Sequence, residues 1–198
     1  INFDINYPFD NKEPFYFKAK TNNWNFTKYL ALIATDEVQR TFNSSVTSTI
    51  NLSSQQGGIK NSSGFINVDE FFIQRGNIKM ANKDTMRLIF TDGVIETEAV
   101  TLVGEESFVS LESAQKNSEN LDLTAKAKIP MGLLAIILPV SDISGQLSGS
   151  VKLTGSYNKL NIVGSSFIEN GFFAISGFPH AFDNFSADIL FNEKNILI

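Results

Sequence analysis

Apolar and polar residues alternate along much of the chain with the two-residue period of β-strands. The alternation is clearest at residues 46–52, 121–129, 145–153 and 185–191. Because successive side chains of a strand point to opposite faces of the sheet, each of these strands would have one apolar and one polar face. The pattern predicts an all-β chain of roughly a dozen strands, in a sheet that is solvated on one side.

Residues that favour turns separate the alternating runs. Asp92-Gly93 and Asn170-Gly171 have the composition of tight hairpin turns, because both positions tolerate positive φ. Glycines within residues 56–58, 62–64 and 75–77 mark further turns. We expect a chain reversal at each of these places.

Two stretches depart from the alternation and predict short helices. Residues 26–40 carry apolar side chains at helical spacing. Residues 131–138 lie between Pro130 and Pro139, which limits them to one or two helical turns. The rest of the chain is expected to be strands and turns.

The two predicted helices occupy corresponding places in a weak internal repeat. Each unit consists of a strand, a short helix and a Gly/Ser-rich alternating strand, which is typical of elongated repeat proteins. We therefore expect a single fragment of a longer repeat protein, with approximate units 1–105 and 106–198, although chance similarity among alternating strands is an alternative. The matching segments are 15–20 with 121–126, 30–33 with 134–137, and 46–52 with 147–153.

Composition and charge exclude several classes of function. The chain is 42% hydrophobic and 19% charged, which is too apolar for a disordered protein. Its net charge is -5 and no run of Lys or Arg occurs, so nucleic-acid binding is disfavoured. Cysteine is absent, which excludes disulfides and thiolate chemistry. The longest apolar run, residues 129–138, is too short for a membrane-spanning helix.

Candidate catalytic and metal-binding groups are sparse. His180 is the only histidine and lies in a turn-like sequence, so it cannot form a histidine metal cluster. Glu96 and Glu98 share one face of a predicted strand and could act as an acid–base pair or bind a cation. Alternation places that face in solvent, so we predict no catalytic residue, no metal, no cofactor and no enzyme activity.

The apolar face of the predicted sheet is the strongest candidate for a functional surface. Periodicity alone favours a closed sandwich core, in which this face packs against a second sheet. An open surface that binds an apolar ligand is the alternative. The residues that we place on this face are Val46, Ile50, Leu52, Leu121, Leu123, Ile129, Leu147, Val151, Leu153, Leu160, Ile162, Phe185, Ile189 and Phe191.

Several strand sequences follow one another in a characteristic order. They are Gly-Gln-Leu-Ser-Gly-Ser-Val-Lys-Leu-Thr-Gly at 145–155, Leu-Asn-Ile-Val-Gly at 160–164, Asn-Gly-Phe-Phe at 170–173 and Phe-Ser-Ala-Asp-Ile-Leu-Phe at 185–191. Residues 68–79 and 90–98 fit the same scheme. Over roughly residues 46–198 this order resembles the repeats of the TamB/AsmA-like family.

The resemblance implies an elongated, curved antiparallel-type sheet that forms an open hydrophobic groove, a β-taco. It implies the periplasmic region of an inner-membrane-anchored protein of a Gram-negative bacterium. Such proteins carry phospholipid acyl chains between the inner and outer membranes, or support outer-membrane protein assembly. An Omp85-type barrel partner would bind parts of the protein outside this chain.

On this interpretation the fourteen residues named above line a lipid groove, and no catalysis is needed because no bond is made. Two alternatives stay open. One is a chaperone that pairs its strand edges with unfolded outer-membrane protein strands by β-augmentation. The other is a structural β-spacer with a closed core.

Overall fold

The structure is a computed structural model that describes residues 1–6, 13–27, 29, 41–55, 61–136, 142–156, 158–175, 177, 179–192 and 196–197. Within these residues fourteen strands form one antiparallel sheet, which confirms the predicted all-β class. The strands are β1 (Asn2–Asn6), β2 (Phe15–Trp24), β3 (Phe42–Ser54), β4 (Ser63–Arg75), β5 (Ile78–Asn82), β6 (Met86–Thr91), β7 (Val94–Glu98), β8 (Thr101–Gly104), β9 (Ser107–Ser113), β10 (Asn120–Pro130), β11 (Asp142–Ser156), β12 (Lys159–Ala174), β13 (Phe182–Phe191) and β14 (Ile196–Leu197).

The strands lie in chain order except at one branch. The main path runs from β1 to β5, then through β8 to β14, while β6 pairs with β4 and β7 pairs with β6. Strand β4 is long enough to take two short partners: residues 72–75 pair with β5, and residues 64–68 pair with β6. Strand β7 is joined to the end of β9 through side chains, because Thr97 Oγ1 accepts a bond of 2.9 Å from the Ser113 amide.

Asn82 fills the junction between the two branches. The β3–β4 register shifts beside Asp69, which leaves backbone groups outside the ladder. Asn82 Oδ1 accepts from the Phe71 amide at 2.6 Å, and its Nδ2 donates to the carbonyls of Asp69 at 3.0 Å and Asp84 at 2.9 Å. One amide side chain therefore bonds backbone groups of β4 between its β5 and β6 pairings and a carbonyl of the β5–β6 connection.

The predicted turns have mixed outcomes. The β4–β5 hairpin turns at residues 76–77 and the β6–β7 hairpin at Asp92 and Gly93, as expected, with positive φ at both of the latter. The turn predicted at Asn170-Gly171 is wrong, because both residues lie inside β12. Asn170 has a φ of 48° and the register shifts there, so the pair forms a β-bulge, which uses the same left-handed conformation as a turn.

The remaining predictions concern two turns and two helices, and the structure describes only some of them. Strand β4 begins at Ser63, so the turn predicted at 62–64 ends earlier than expected. A 3₁₀ helix at Met131–Ile136, here called the cap helix, confirms the second predicted helix. The turn at 56–58 and most of the helix predicted at 26–40 lie outside the described residues.

The two parts of the chain that carry the internal repeat share an order of elements. Strands β2, β3 and β4 have 10, 13 and 13 residues, and β10, β11 and β12 have 11, 15 and 16. In each set the first connection, β2–β3 or β10–β11, is the longer one. The second connection, β3–β4 or β11–β12, joins two strands that pair antiparallel. This order agrees with the repeat, while the unit boundaries 1–105 and 106–198 stay a prediction.

The strand register assigns each paired residue to one of two faces, because directly opposed residues of an antiparallel pair point the same way. We call the face that contains Ile73, Met80 and Leu123 the inner face and the opposite one the outer face. All ten buried hydrophobic residues of the described chain lie on the inner face or on the cap helix. They are Phe15, Ala19, Phe42, Leu52, Met80, Phe90, Leu121, Met131, Ala135 and Ile143.

The sheet curves toward its inner face. The cap helix contacts two strands that are far apart in the sheet. The Gly132 carbonyl accepts a hydrogen bond from Arg75 of β4, and Met131 packs in one cluster with Ile143 of β11. Five strand spacings separate β4 from β11, which is roughly 24 Å in a flat sheet. A six-residue 3₁₀ helix is only about 12 Å long, so the two walls must approach each other around it.

Candidate apolar groove

The register places all fourteen predicted residues on the inner face. On one side of the sheet Ala19, Ile50 and Ile66 form a cross-strand row. On the other side Leu123, Leu153 and Ile162 form another. Paired residues of β4, β5, β8, β9 and β10 connect the two sides without a change of face. The predicted parity of residues 147–153 is therefore correct, while lipid contact by these residues stays a prediction.

The inner face also contains apolar residues that the sequence analysis did not assign. The alternation Phe15-x-Phe17-x-Ala19 could have revealed the β2 members, since all three share a face. Met80 and Phe90 lie on strands of five and six residues, which are too short for alternation to be decisive. The unassigned inner-face residues include Phe15, Phe17, Ala19, Phe42, Ile66, Phe71, Ile73, Met80, Leu88, Phe90, Leu102, Val109, Leu111, Ile168 and Phe173.

Exposure of the inner face varies across the sheet. Leu52 and Leu121, on interior strands, are 8% and 7% exposed. At the β1 edge Phe3 is 61% exposed, and at the start of β12 Leu160 and Ile162 are both 45% exposed. The inner face is therefore one continuous apolar surface that is covered along its middle and open to solvent toward both sides.

The cap helix covers one end of this surface. Met131 and Ala135 are buried in a cluster with Phe42 and Ile143. Two of the predicted groove residues, Leu147 and Phe185, are among those that pack against this cluster, so the cap helix takes part in covering them. The other members are Ile73, Leu133, Leu134, Ile168 and Phe173.

The start of the β2–β3 connection covers the inner face at the same end. The Phe26 ring stacks on Phe71 of β4 with 5.7 Å between ring centroids, and Trp24 contacts Tyr29 at 5.2 Å. Thr27 Oγ1 lies 2.8 Å from the hydroxyl of Ser44, a fully buried inner-face residue. The described start of this connection and the cap helix thus cover the same end of the groove.

The Thr21 and Ser48 hydroxyls on the inner face have hydrogen-bond partners within the protein. Thr21 Oγ1 lies 2.9 Å from Ser48 Oγ, accepts from the Ser48 amide at 2.9 Å and donates to the Val46 carbonyl at 3.1 Å. Groups that already have partners offer no hydrogen bonds to a ligand. A ligand on this part of the inner face would therefore meet an apolar surface, despite the two hydroxyls.

The outer face carries charged side chains, some of which pair in solvent, and it also carries exposed apolar residues at Val103, Phe108, Val163 and Leu190. Arg87 Nη1 lies 3.3 Å from Glu98 Oε2, and Lys126 Nζ lies 3.6 Å from Glu112 Oε1. Such exposed pairs contribute little stability. A hydrogen bond to the Asp4 carboxylate, together with its charge, raises the pKa of the Tyr16 phenol above its ordinary value.

Glu96 and Glu98 share one face of β7, and His180 lies elsewhere in the chain. Glu96 and Glu98 are exposed on the outer face, as predicted, and His180 is exposed in the β12–β13 connection. Among the described residues no three His, Asp or Glu side chains are placed to share a metal ion. Within the same residues no helix has the length and apolarity to cross a membrane.

No family model, curated protein or solved structure matches this chain. An assignment of function therefore depends on the geometry of the inner face and on the order of the strand sequences. Both concern a candidate binding surface.

Proposed function

We propose that this protein holds phospholipid acyl chains on its inner face, as the periplasmic part of an inner-membrane-anchored protein that carries lipid between the two membranes. The observation that carries the proposal is the continuous apolar inner face that stays exposed at Phe3, Leu160 and Ile162. Contiguous exposed apolar surface is a usual mark of a binding site. The TamB/AsmA-like order of the strand sequences points to the same ligand.

The energetics favour a ligand of long hydrocarbon chains. Moving a lipid tail into water costs about 0.8 kcal/mol per methylene, so two long tails cost on the order of 20 kcal/mol. An apolar face that accepts the tails while the charged side chains of the outer face stay hydrated removes most of this cost. Holding acyl chains in this way involves no covalent step.

A second candidate is a chaperone that pairs with unfolded outer-membrane protein strands. Strand β1 supports it: Asn2–Asn6 pairs with β2 on one side, and its other side pairs with no described strand. The strand contains no Pro, no Lys and no bulge, which are the devices that usually protect an edge. Addition of a client strand there would extend the apolar inner face.

Native mass spectrometry of the protein purified without added detergent tests the two candidates. Lipid transport predicts a population whose mass exceeds that of the chain by one or more phospholipids. An edge-binding chaperone predicts a lipid-free chain that gains mass when a β-strand peptide from an outer-membrane protein is added. A chain that stays free of both would contradict both candidates and favour a structural spacer.

A further inference from the structure

One charged side chain lies on the inner face of the described ladders. Arg75 is directly opposite Phe42 and Ile78 at the capped end of β4. The other residues that the ladders place on this face are apolar, hydroxyl-bearing, Gly or Asn82. A single cation on a large apolar surface is unfavourable unless it stabilises the fold or binds a ligand.

The partners of Arg75 in the protein are neutral. Its Nη1 donates to the Gly132 carbonyl at 2.8 Å, its Nε lies 3.4 Å from Thr41 Oγ1, and its guanidinium is 5.8 Å from the centre of the Phe42 ring. A guanidinium has five N–H donors, and these contacts use two of them. The positive charge has no carboxylate partner among the described contacts.

A cavity of about 300 Å³ adjoins Arg75. Asp142 contributes the opposite charge to the same cavity, and its Oδ1 accepts a bond of 2.9 Å from the amide of Ile143. No ion pair joins Arg75 to Asp142 within the described residues. The cavity thus brings together a cation and an anion that do not neutralise each other. Its other polar members are Thr41 and Ser144, and its apolar members include Ile78 and Ile143.

The cavity borders the groove. Gly132 lines the cavity, while its neighbours in the cap helix, Met131 and Ala135, pack against the inner face. A side chain at position 132 would approach Ile78 to 2.9 Å. The small residue therefore lets the helix lie close to β5 and keeps its carbonyl within reach of Arg75.

We propose that this cavity binds a zwitterionic phosphate–ammonium group, the chemistry of a phosphoethanolamine head group, with Arg75 on the phosphate and Asp142 on the ammonium. The inference rests on the proposed lipid function and names the lipid class. A guanidinium fork matches phosphate oxygens, and its charge makes the hydrogen bonds strong. A purely anionic group, such as inorganic phosphate or phosphoglycerol, would satisfy Arg75 but be repelled by Asp142.

Titration of the ¹⁵N-labelled protein with O-phosphoethanolamine, inorganic phosphate and ethanolamine tests the inference by NMR. We expect amide shifts at residues 132 and 142–145 with phosphoethanolamine at concentrations where phosphate and ethanolamine each give much smaller shifts. Arg75→Gln should weaken phosphoethanolamine binding at least tenfold, since about one charge-assisted bond is lost. Lys79→Gln removes a nearby charge from the outer face and should change binding less than about twofold.

Asp142→Asn keeps the size of the side chain and leaves Arg75 and the cap helix intact, so it separates recognition from folding. It should abolish the preference for phosphoethanolamine over phosphate. Equal binding of the two compounds by the unmodified protein, or a preference that survives in Asp142→Asn, would overturn the inference.

Lysophosphatidylethanolamine and lysophosphatidylglycerol distinguish a lipid from a free compound. Lysophosphatidylethanolamine should bind at least tenfold more tightly than phosphoethanolamine, because its acyl chain enters the groove. It should also bind more tightly than lysophosphatidylglycerol. Equal affinity of lysophosphatidylethanolamine and phosphoethanolamine would contradict the lipid source. If both lysolipids bind equally and phosphoethanolamine does not bind, the groove proposal survives and the head-group inference fails.

Discussion

Val151 offers the sharpest test of the groove, because its neighbours in β11 lie on the other face. It pairs with Ala125 and Gly164 on the inner face and is half-buried. Ser150 pairs with Lys126 and Ser165 on the outer face and is exposed. Val151→Asp therefore places a carboxylate on the groove surface, and Ser150→Asp places the same group one residue away in solvent.

The expected effect on lipid binding follows from desolvation. A carboxyl covered by acyl chains must either keep water among the chains or become neutral. Neutralising it at pH 7 from an ordinary pKa near 3.9 costs roughly 4 kcal/mol. Lipid binding to Val151→Asp should thus weaken by between about tenfold and a thousandfold. Ser150→Asp should bind lipid like the unmodified protein, since its carboxylate stays hydrated beside Lys126.

Binding of a tail-labelled fluorescent phospholipid measures this difference, with urea unfolding as the check on folding. Ser150 is the better control position than Lys152, because Lys152 Nζ lies 2.9 Å from Asp122 Oδ1 and its replacement would disturb that pair. Equal lipid affinity of Val151→Asp and Ser150→Asp, with both folded, would refute the assignment of this face to the acyl chains.

Three further predictions concern the fold itself. Gly64→Ala should lower the free energy of unfolding by about 3 kcal/mol or more, because the φ of Gly64 is +136° and its Cβ would overlap the Asn51 carbonyl oxygen. Gly76→Ala, at a φ of +55° with open space around it, should cost only about 1 to 2 kcal/mol by urea denaturation. Leu121→Ala should cost about 2 to 4 kcal/mol, against less than about 1 for the half-exposed Leu160→Ala, and a reversed order would contradict the assigned burial. Tyr16 should ionise at a higher pH than a free tyrosine in a spectrophotometric titration, and Asp4→Asn should bring its pKa back toward the ordinary value.

Local periodicity was sufficient to predict the inner face of β3, β10, β11, β12 and β13. All fourteen residues assigned from alternation share the inner face, because in-register pairing carries one parity from strand to strand. The closed sandwich that periodicity favoured does not form: the described strands make one curved sheet. Alternation cannot distinguish these outcomes, since a dry core and an apolar groove need the same pattern.

Features that depend on distant contacts could not be predicted from the sequence. The branch at β4 arises from pairing between short strands whose order periodicity does not determine. The bond from Arg75 to Gly132 joins residues 57 positions apart, and Arg75 itself looked like part of an ordinary turn. Asn170-Gly171 was misleading because turns and bulges use the same left-handed backbone.

Photo-crosslinking along β11 tests the central claim most directly. A photoreactive residue at Val151 or Leu153 should capture phospholipid in cells, because both positions lie on the inner face, and one at Ser150 or Lys152 should not. Leu147 should capture less than Val151, since it packs against the cluster that includes the cap helix. Equal capture from both faces, or no capture from either face of a folded protein, would contradict the groove.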